Sequence, residues 1–392
     1  MPVEILPTRT LSITGSTRGT AYSPTNKIVT IGASTHVAWL DSVADIMVAT
    51  YYHQRGRWTE PVRIGVGLDN HSGPALCSDS EGYLHCVFGP HHGDLQYAVS
   101  ARPNDSSEWI EQLRFGDRAT YPSLVCDGED TLHIAYRGGK PPTKLLYQRK
   151  AKGGEWSEPR VLVDAAVPDG YTQFGNALYV HADGSLHLGF HIYDMHPAAG
   201  KAVGYLRSDD GGDTWTLADG SPVALPYTPD QPGWIEQGPD LDMRVMNVVC
   251  DAEGVVYLGV SHYETKPESV MLWVYRDGGW TQKPLMPAIH RLLPGAHAGL
   301  GAMTFDDRGN LYIVTTASMI RSWAGKDAES VLLVSGDGGE TFTATLLSDD
   351  GGEVGNWLQN IERPGVHNRV EAPFVIYTHG APGGACDDGV TT

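Results

Sequence analysis

The chain has 392 residues, 41% of them apolar, with 47 glycines and 25 prolines, a composition that excludes a disordered or collagen-like protein. A formal net charge of −19 argues against a nucleic-acid partner, because phosphate binding needs basic surface. No apolar run approaches the ~18 residues of a membrane span, and five sparse cysteines (Cys77, Cys86, Cys126, Cys250 and Cys386) do not make a disulfide framework.

The N-terminus, MPVEILPTRTLSITG, lacks a basic start followed by an apolar core, so no signal peptide is expected and the compartment is left open. ASTHVAWL (33–40) reads as a strand of a first repeat. A clearer unit follows as SDSEGYLHCVFG (78–89), CDGEDTLHIAYRG (126–138), HADGSLHLGFH (181–191), CDAEGVVYLGVSH (250–262) and DDRGNLYIVTT (306–316). Each copy is a Gly/Asp turn followed by an alternating apolar run, the pattern of an antiparallel hairpin. In four copies an Asp stands five positions before the Leu or Val: Asp79, Asp127, Asp251 and Asp306. RSDDGGDTWT (207–216) and VSGDGGETFT (334–343) resemble the Asp-box turn of sialidase-like propellers, with weaker relatives at 52–61, 151–159 and 275–284. The stretch 217–242, with its prolines and Trp234, reads as an elaborated loop. EAPFVIYTHG (371–380) closes the series. Seven units at such intervals predict an all-β fold, a seven-bladed β-propeller filling 1–392 as one domain without helical heptads.

The phase of the repeat sorts the histidines. His85, His133 and His187 directly follow the repeat's Leu, where other copies carry Tyr257 and Tyr312. A position shared by every blade is architectural. The residues that break the repeat are Asn70 and His71 in DNHSGPAL, His91 and His92 in GPHHGD, Tyr121 in TYPSL and Arg137 in AYRGG. They stand just before or after a hairpin, where the strand ends of a propeller collect around one face of its axis. A core aromatic at Tyr121 and a surface charge at Arg137 are the competing readings.

The run DNHSGPAL, then GYLHCVFGPHH with His91 twenty positions after His71, then TYPSL with Tyr121 sixteen before Arg137, resembles the BNR-repeat ulvan lyases of polysaccharide lyase families 24 and 25. The specific motifs lie within residues 69–139. The resemblance implies a lyase whose active site is two His, a Tyr and an Arg: here His71, His91, Tyr121 and Arg137. The implied partner is an acidic, rhamnose- and uronate-containing polysaccharide or oligosaccharide, bound by a monomer with no membrane partner.

That chemistry accounts for the residue types. A uronate lyase removes the C5 proton beside the carboxylate and expels the sugar on O4. A cation on the carboxylate stabilises the enolate-like charge, and the planar fork of Arg binds carboxylate in two places, which suits Arg137. Neutral imidazole is a base near working pH, which suits His71. A phenol can protonate the departing oxygen, which suits Tyr121, and Tyr121 serving as both acid and base is the alternative. His91 is expected to hold the carboxylate or orient Tyr121.

Further cleft candidates are Asn70, His92, Tyr171, Trp234, Arg244 and His297, as aromatics that stack on sugars or polar groups that pair with anions. The resembled families carry a structural metal ion, and His191, His196, Cys250 and His262 are zinc-type donors on neighbouring blades. Structural zinc or calcium is the cofactor expectation, and the elimination itself needs none. Two other readings stand beside this one. A sialidase-like or rhamnosidase-type hydrolase would use Arg244, Arg291 and Glu236, although an R-I-P motif is missing near the N-terminus. A glycan-binding propeller would use no chemistry at all.

Overall fold

The computed structural model describes residues 4–42, 44–71, 73–167, 172–194, 201–238, 241–262, 270–320, 325–348, 354–380 and 389–390. Tyr171, His196 and Cys386 lie outside them. The chain is all-β. Among the described residues one α-helix occurs, Met286–Leu292, too short to leave a heptad pattern, and no helix is long and apolar enough to cross a membrane.

Each copy of the sequence repeat forms the same antiparallel hairpin. Ala75–Ser78 pairs with Leu84–Phe88, Thr172–Val180 with Leu186–Asp194, Met243–Cys250 with Val256–His262, and His297–Phe305 with Leu311–Ser318. The earliest unit pairs Ser34–Asp41 with Ile28–Ile31 and Asp45–Tyr52, and the last pairs Gly355–Ile361 with Val375–Gly380. One strand of 22 residues, Asp105–Cys126, serves two units. Its first part pairs with Gly93–Arg102 and its last part with Leu132–Gly138.

Apolar side chains from the alternating runs are buried between consecutive hairpins. Val29 and Val48 meet Leu76 and Cys86; Ala75 and Val87 meet Leu124 and Ile134; Ala135 and Tyr147 meet Leu178 and Leu188. The series continues through Tyr205, Leu258 and Ile313 to Val314 and Ile361, and Ile376 then packs on Val37 and Trp39 of the first unit. The chain ends meet as well. Gly15–Ser16 pairs with Gly389–Val390, and the Trp357 indole donates to the Thr17 carbonyl at 2.9 Å.

The repeated Asp is a turn device. One oxygen accepts the backbone N–H groups two and four positions on, at 2.8–3.1 Å, in all four copies: Glu81 and Tyr83 on Asp79, Glu129 and Thr131 on Asp127, Glu253 and Val255 on Asp251, Arg308 and Asn310 on Asp306. The other oxygen reaches the residue six positions on: His85, His133, Tyr257 or Tyr312. The far nitrogen of each histidine then meets a tyrosine of the third strand, His85 with Tyr97 at 2.7 Å and His133 with Tyr147 at 2.6 Å. In the copy where His181 replaces Asp, His187 keeps its tyrosine, Tyr205, and takes Ser185 instead. These three histidines are therefore satisfied inside the repeated units, as their shared phase predicts; each such bond contributes about 0.5–1.5 kcal/mol net.

The Asp-boxes are turns of the same kind. Thr214 N and Oγ1 bind Asp210, and Thr341 N and Oγ1 bind Asp337. Their carboxylates are used within the turn, so the motif serves architecture.

Candidate functional site

Four polar residues that interrupt the repeat come together at one end of two neighbouring hairpins. The DNH turn is built on Asp69, whose carboxylate joins two loops. One oxygen accepts the His71 backbone N–H at 2.7 Å and lies 3.4 Å from His71 Nδ1; the other accepts the His91 N–H at 2.7 Å. Burial alone would raise the Asp69 carboxyl, but the bonds from His71 and His91 outweigh it and hold it at about 2. The two imidazoles consequently stack, with centroids 4.3 Å apart and planes 12° from parallel. His92 follows at 3.9 Å from His91.

Tyr121 reaches the same place by a β-bulge. In the pairing with Leu132–Gly138, Thr120 faces Arg137 and Ser123 faces Ala135, so the register shifts across Tyr121 and Pro122. Tyr121 has φ +58°, a left-handed conformation that costs a non-glycine residue energy and is typical of backbone held for a purpose. Asn176 of the next hairpin donates to the Tyr121 carbonyl at 3.0 Å and holds the bulge. The Tyr121 ring, 8% exposed, lies 6.4 Å from His71 and 6.1 Å from His91. Arg137 is wholly buried, with its guanidinium 4.8 Å from the centre of the Tyr121 ring. Its Nη2 donates to Thr120 Oγ1 at 3.1 Å and lies 3.4 Å from His92 Nδ1. Thr120 in turn accepts the His92 N–H at 3.0 Å.

Burial, reinforced by His71, Arg137 and His92, pushes His91 down to about 3, and burial and Arg137 also lower His92. His91 is thus a neutral ring at ordinary pH, able to offer an N–H but not a full charge. The same shift predicts a stability profile. His91 and the buried His187, also lowered to about 3, bind protons in the unfolded chain before they do in the folded one. Thermal midpoints should therefore fall as pH drops below about 6.5 toward 3. Calorimetry across that range, with a flatter curve for His187→Gln, checks the sign; a midpoint independent of pH contradicts it.

The other sequence candidates are placed as follows. Asn70 is buried beside His71. His297 opens its strand opposite Ser318 and makes none of the described ring contacts of the cluster. Trp234 stacks on Tyr227 at 4.6 Å and meets Phe190 edge-on at 5.6 Å, a packing role. Arg244 donates to Asp242 at 2.7 Å and lies 3.9 Å over the Tyr193 ring, whereas Arg291 donates to the Phe342 carbonyl. Glu236 faces His262 at 3.5 Å. The three residues of the hydrolase alternative are thus each engaged with a different partner.

Of the anticipated metal donors, His196 lies outside the described residues. Cys250 Sγ lies 3.5 Å from His187, and His191 Nδ1 accepts the Val245 N–H at 2.9 Å. Among the described residues the ligand atoms that approach one another as a trio belong to Cys126, Asp130 and His367 instead. Among the described residues, His191, Cys250 and His262 do not bring their ligand atoms together.

Four neighbours escaped the sequence argument. Asp69 and Thr120 open the motifs DNHSGPAL and TYPSL but are given no role there. Tyr22 packs edge-on against Tyr121 at 4.7 Å and lies 6.4 Å from His71, and Arg18 Nη1 donates to the Tyr22 hydroxyl at 2.5 Å. Both precede the first repeat, so no repeat phase could mark them.

A chain of repeated Asp-turn hairpins with this cluster defines a BNR-type protein. It belongs to the BNR repeat-containing family, whose model matches residues 34–287. Over 145 residues it is 28% identical to a PL25 ulvan lyase of Pseudoalteromonas sp. (strain PLSV), a match covering 31% of this chain and 30% of that protein. Over 152 residues it is 29% identical to an ulvan lyase of Nonlabens ulvanivorans, covering 32% of each. The match thus spans about a third of these relatives' length. A solved PL25 ulvan lyase bound to -[GlcA(1-4)Rha3S]- has the same fold, with TM-score 0.73 and 16% identity over 98% of this chain and 97% of that one.

Proposed function

We propose that this protein is a polysaccharide lyase that cleaves an ulvan-like, uronate-containing glycan by β-elimination. The observation that carries the reading is the meeting of His71, His91, Tyr121 and Arg137 within one set of ring contacts. The similarity to ulvan lyases supports it.

Arg137, wholly buried beside Tyr121, supplies the positive charge that stabilises the charge developing on the uronate carboxylate. His71 is the base. Its Nδ1 faces Asp69, so the proton sits on Nδ1 and Nε2 keeps the lone pair, an orienting role for the carboxylate. The C5–H bond breaks with its proton passing to Nε2, the C4–C5 double bond forms, and the C4–O4 bond breaks. Tyr121 gives its hydroxyl proton to O4; His71 then releases the C5 proton to solvent and Tyr121 regains one from it. His91, neutral and stacked on His71, holds the base in place and offers an N–H to the substrate.

The scaffold in this reading is a single-domain seven-bladed propeller. The recurrent hairpin, the apolar contacts passed from each unit to the next, and the meeting of the last unit with the first support that count. Incubation with ulvan should produce the ultraviolet absorbance of unsaturated uronate ends. New reducing ends without that band mean hydrolysis, and neither signal on any acidic glycan means a binding protein.

A further inference from the structure

We propose that Tyr22, carried in by the segment before the first repeat, is a positioning residue for Tyr121, and that the last unit of the fold holds it there. The inference rests on the elimination reading and adds a part to it.

The Tyr121 ring has two neighbours of opposite kind. The Arg137 guanidinium lies 4.8 Å from its centre, and the Tyr22 ring meets it at 4.7 Å and 78°, the favoured edge-to-face arrangement. Tyr22 also lies over His71, at 6.4 Å and 25°. One ring therefore packs on the proposed acid and neighbours the proposed base. A phenol that must deliver a proton to one oxygen depends on its direction as well as its acidity, and direction is what packing supplies.

The segment bearing Tyr22 is stitched to both catalytic loops. Thr25 Oγ1 donates to the Pro122 carbonyl at 2.9 Å, directly after Tyr121. Near His71, the backbone of Gly73 comes so close that a Cβ there would sit 2.2 Å from the Ala21 carbonyl oxygen. From the other side the last unit grips the same turn. Asn360 Nδ2 donates to the Thr25 carbonyl at 2.8 Å and to the Tyr22 carbonyl at 3.3 Å. Arg363 donates to the carbonyls of Ser23 and Pro24, the latter at 2.7 Å, and Thr20 Oγ1 to that of Leu358 at 2.7 Å. Asn360 and Arg363 are buried. Closure of the fold thus sets the position of an aromatic ring in the site.

The test uses the full chain with Tyr22→Leu, Tyr22→Phe and the near-isosteric Thr25→Val. Tyr22→Leu should lower kcat on ulvan by about 10²-fold, the size of a misplacement effect, with KM nearly unchanged. Tyr22→Phe should recover most of that loss because it keeps the ring. Thr25→Val should lower kcat several-fold while remaining folded. Wild-type kcat in Tyr22→Leu overturns the proposal. So does a loss in Tyr22→Phe as large as in Tyr22→Leu, which would put the hydroxyl itself into the reaction. An NMR readout needs no substrate. With ¹³Cζ-labelled tyrosine, the Tyr121 resonance, assigned by its absence in Tyr121→Phe, should shift in Tyr22→Leu. An unmoved resonance refutes the packing role, whereas a wild-type protein that leaves ulvan intact refutes only the elimination reading.

Discussion

Tyr121→Phe should reduce kcat on ulvan by about 10²–10⁴-fold, the range that a positioned general acid supplies, with little change in KM. The phenyl ring still packs between Tyr22 and Arg137, so the fold and the cluster survive. What disappears is the proton for O4. The leaving sugar must then depart as an alkoxide or draw a proton from water, and the cost falls on the transition state alone. Steady-state kinetics on ulvan and a thermal melt together check this. A turnover near that of the wild type would remove Tyr121 from the chemistry, and a large fall in melting temperature would mean that the hydroxyl holds structure.

The second large effect is expected at Arg137. Arg137→Lys keeps a positive charge but loses the planar fork, and Arg137→Met loses the charge as well. Stabilisation of developing charge by one well-placed donor is worth about 10²–10³-fold in kcat. Arg137→Lys should reach that loss, and Arg137→Met should exceed it. Burial sharpens the effect, since the guanidinium is shielded from water and held by Thr120 beneath Tyr121. The substrate offers a matching control. Methyl esterification removes the uronate charge and makes C5–H more acidic, so the ester needs Arg137 less. The loss in Arg137→Met should therefore be smaller on esterified than on free uronate substrate. Equal losses on both would place Arg137 in packing and not in charge stabilisation.

The path from residues to site was uneven for physical reasons. The hairpins were legible because alternation and the Asp turn are local: Asp127 binds N–H groups two and four positions on, whatever the rest of the chain does. His85, His133 and His187 were separable from His71 and His91 because a shared phase means a shared environment. Trp234 and Arg244 read as cleft residues from type alone; one packs on Tyr227 and Phe190 and the other pairs with Asp242 and Tyr193. Residue type carries no information about which partner reaches a side chain first. Cys250, read as a zinc-type donor, likewise lies against His187, and His196 of that set is outside the described residues.

By itself the sequence determined the all-β class, the repeated hairpin and the identity of four polar residues that interrupt it, because these follow from period-two patterning and from departures at known offsets. Tertiary structure alone decided that the Asp105–Cys126 strand bulges at Tyr121, that Asp69 ties the His71 and His91 loops together, and that Tyr22 and Arg18 arrive from before the first repeat. Asp69 reaches His91 from 22 residues away across the hairpin that ends at Phe88, and Tyr22 reaches Tyr121 from before the first repeat while Asn360 of the last unit holds its carbonyl. No local pattern in the chain encodes such meetings.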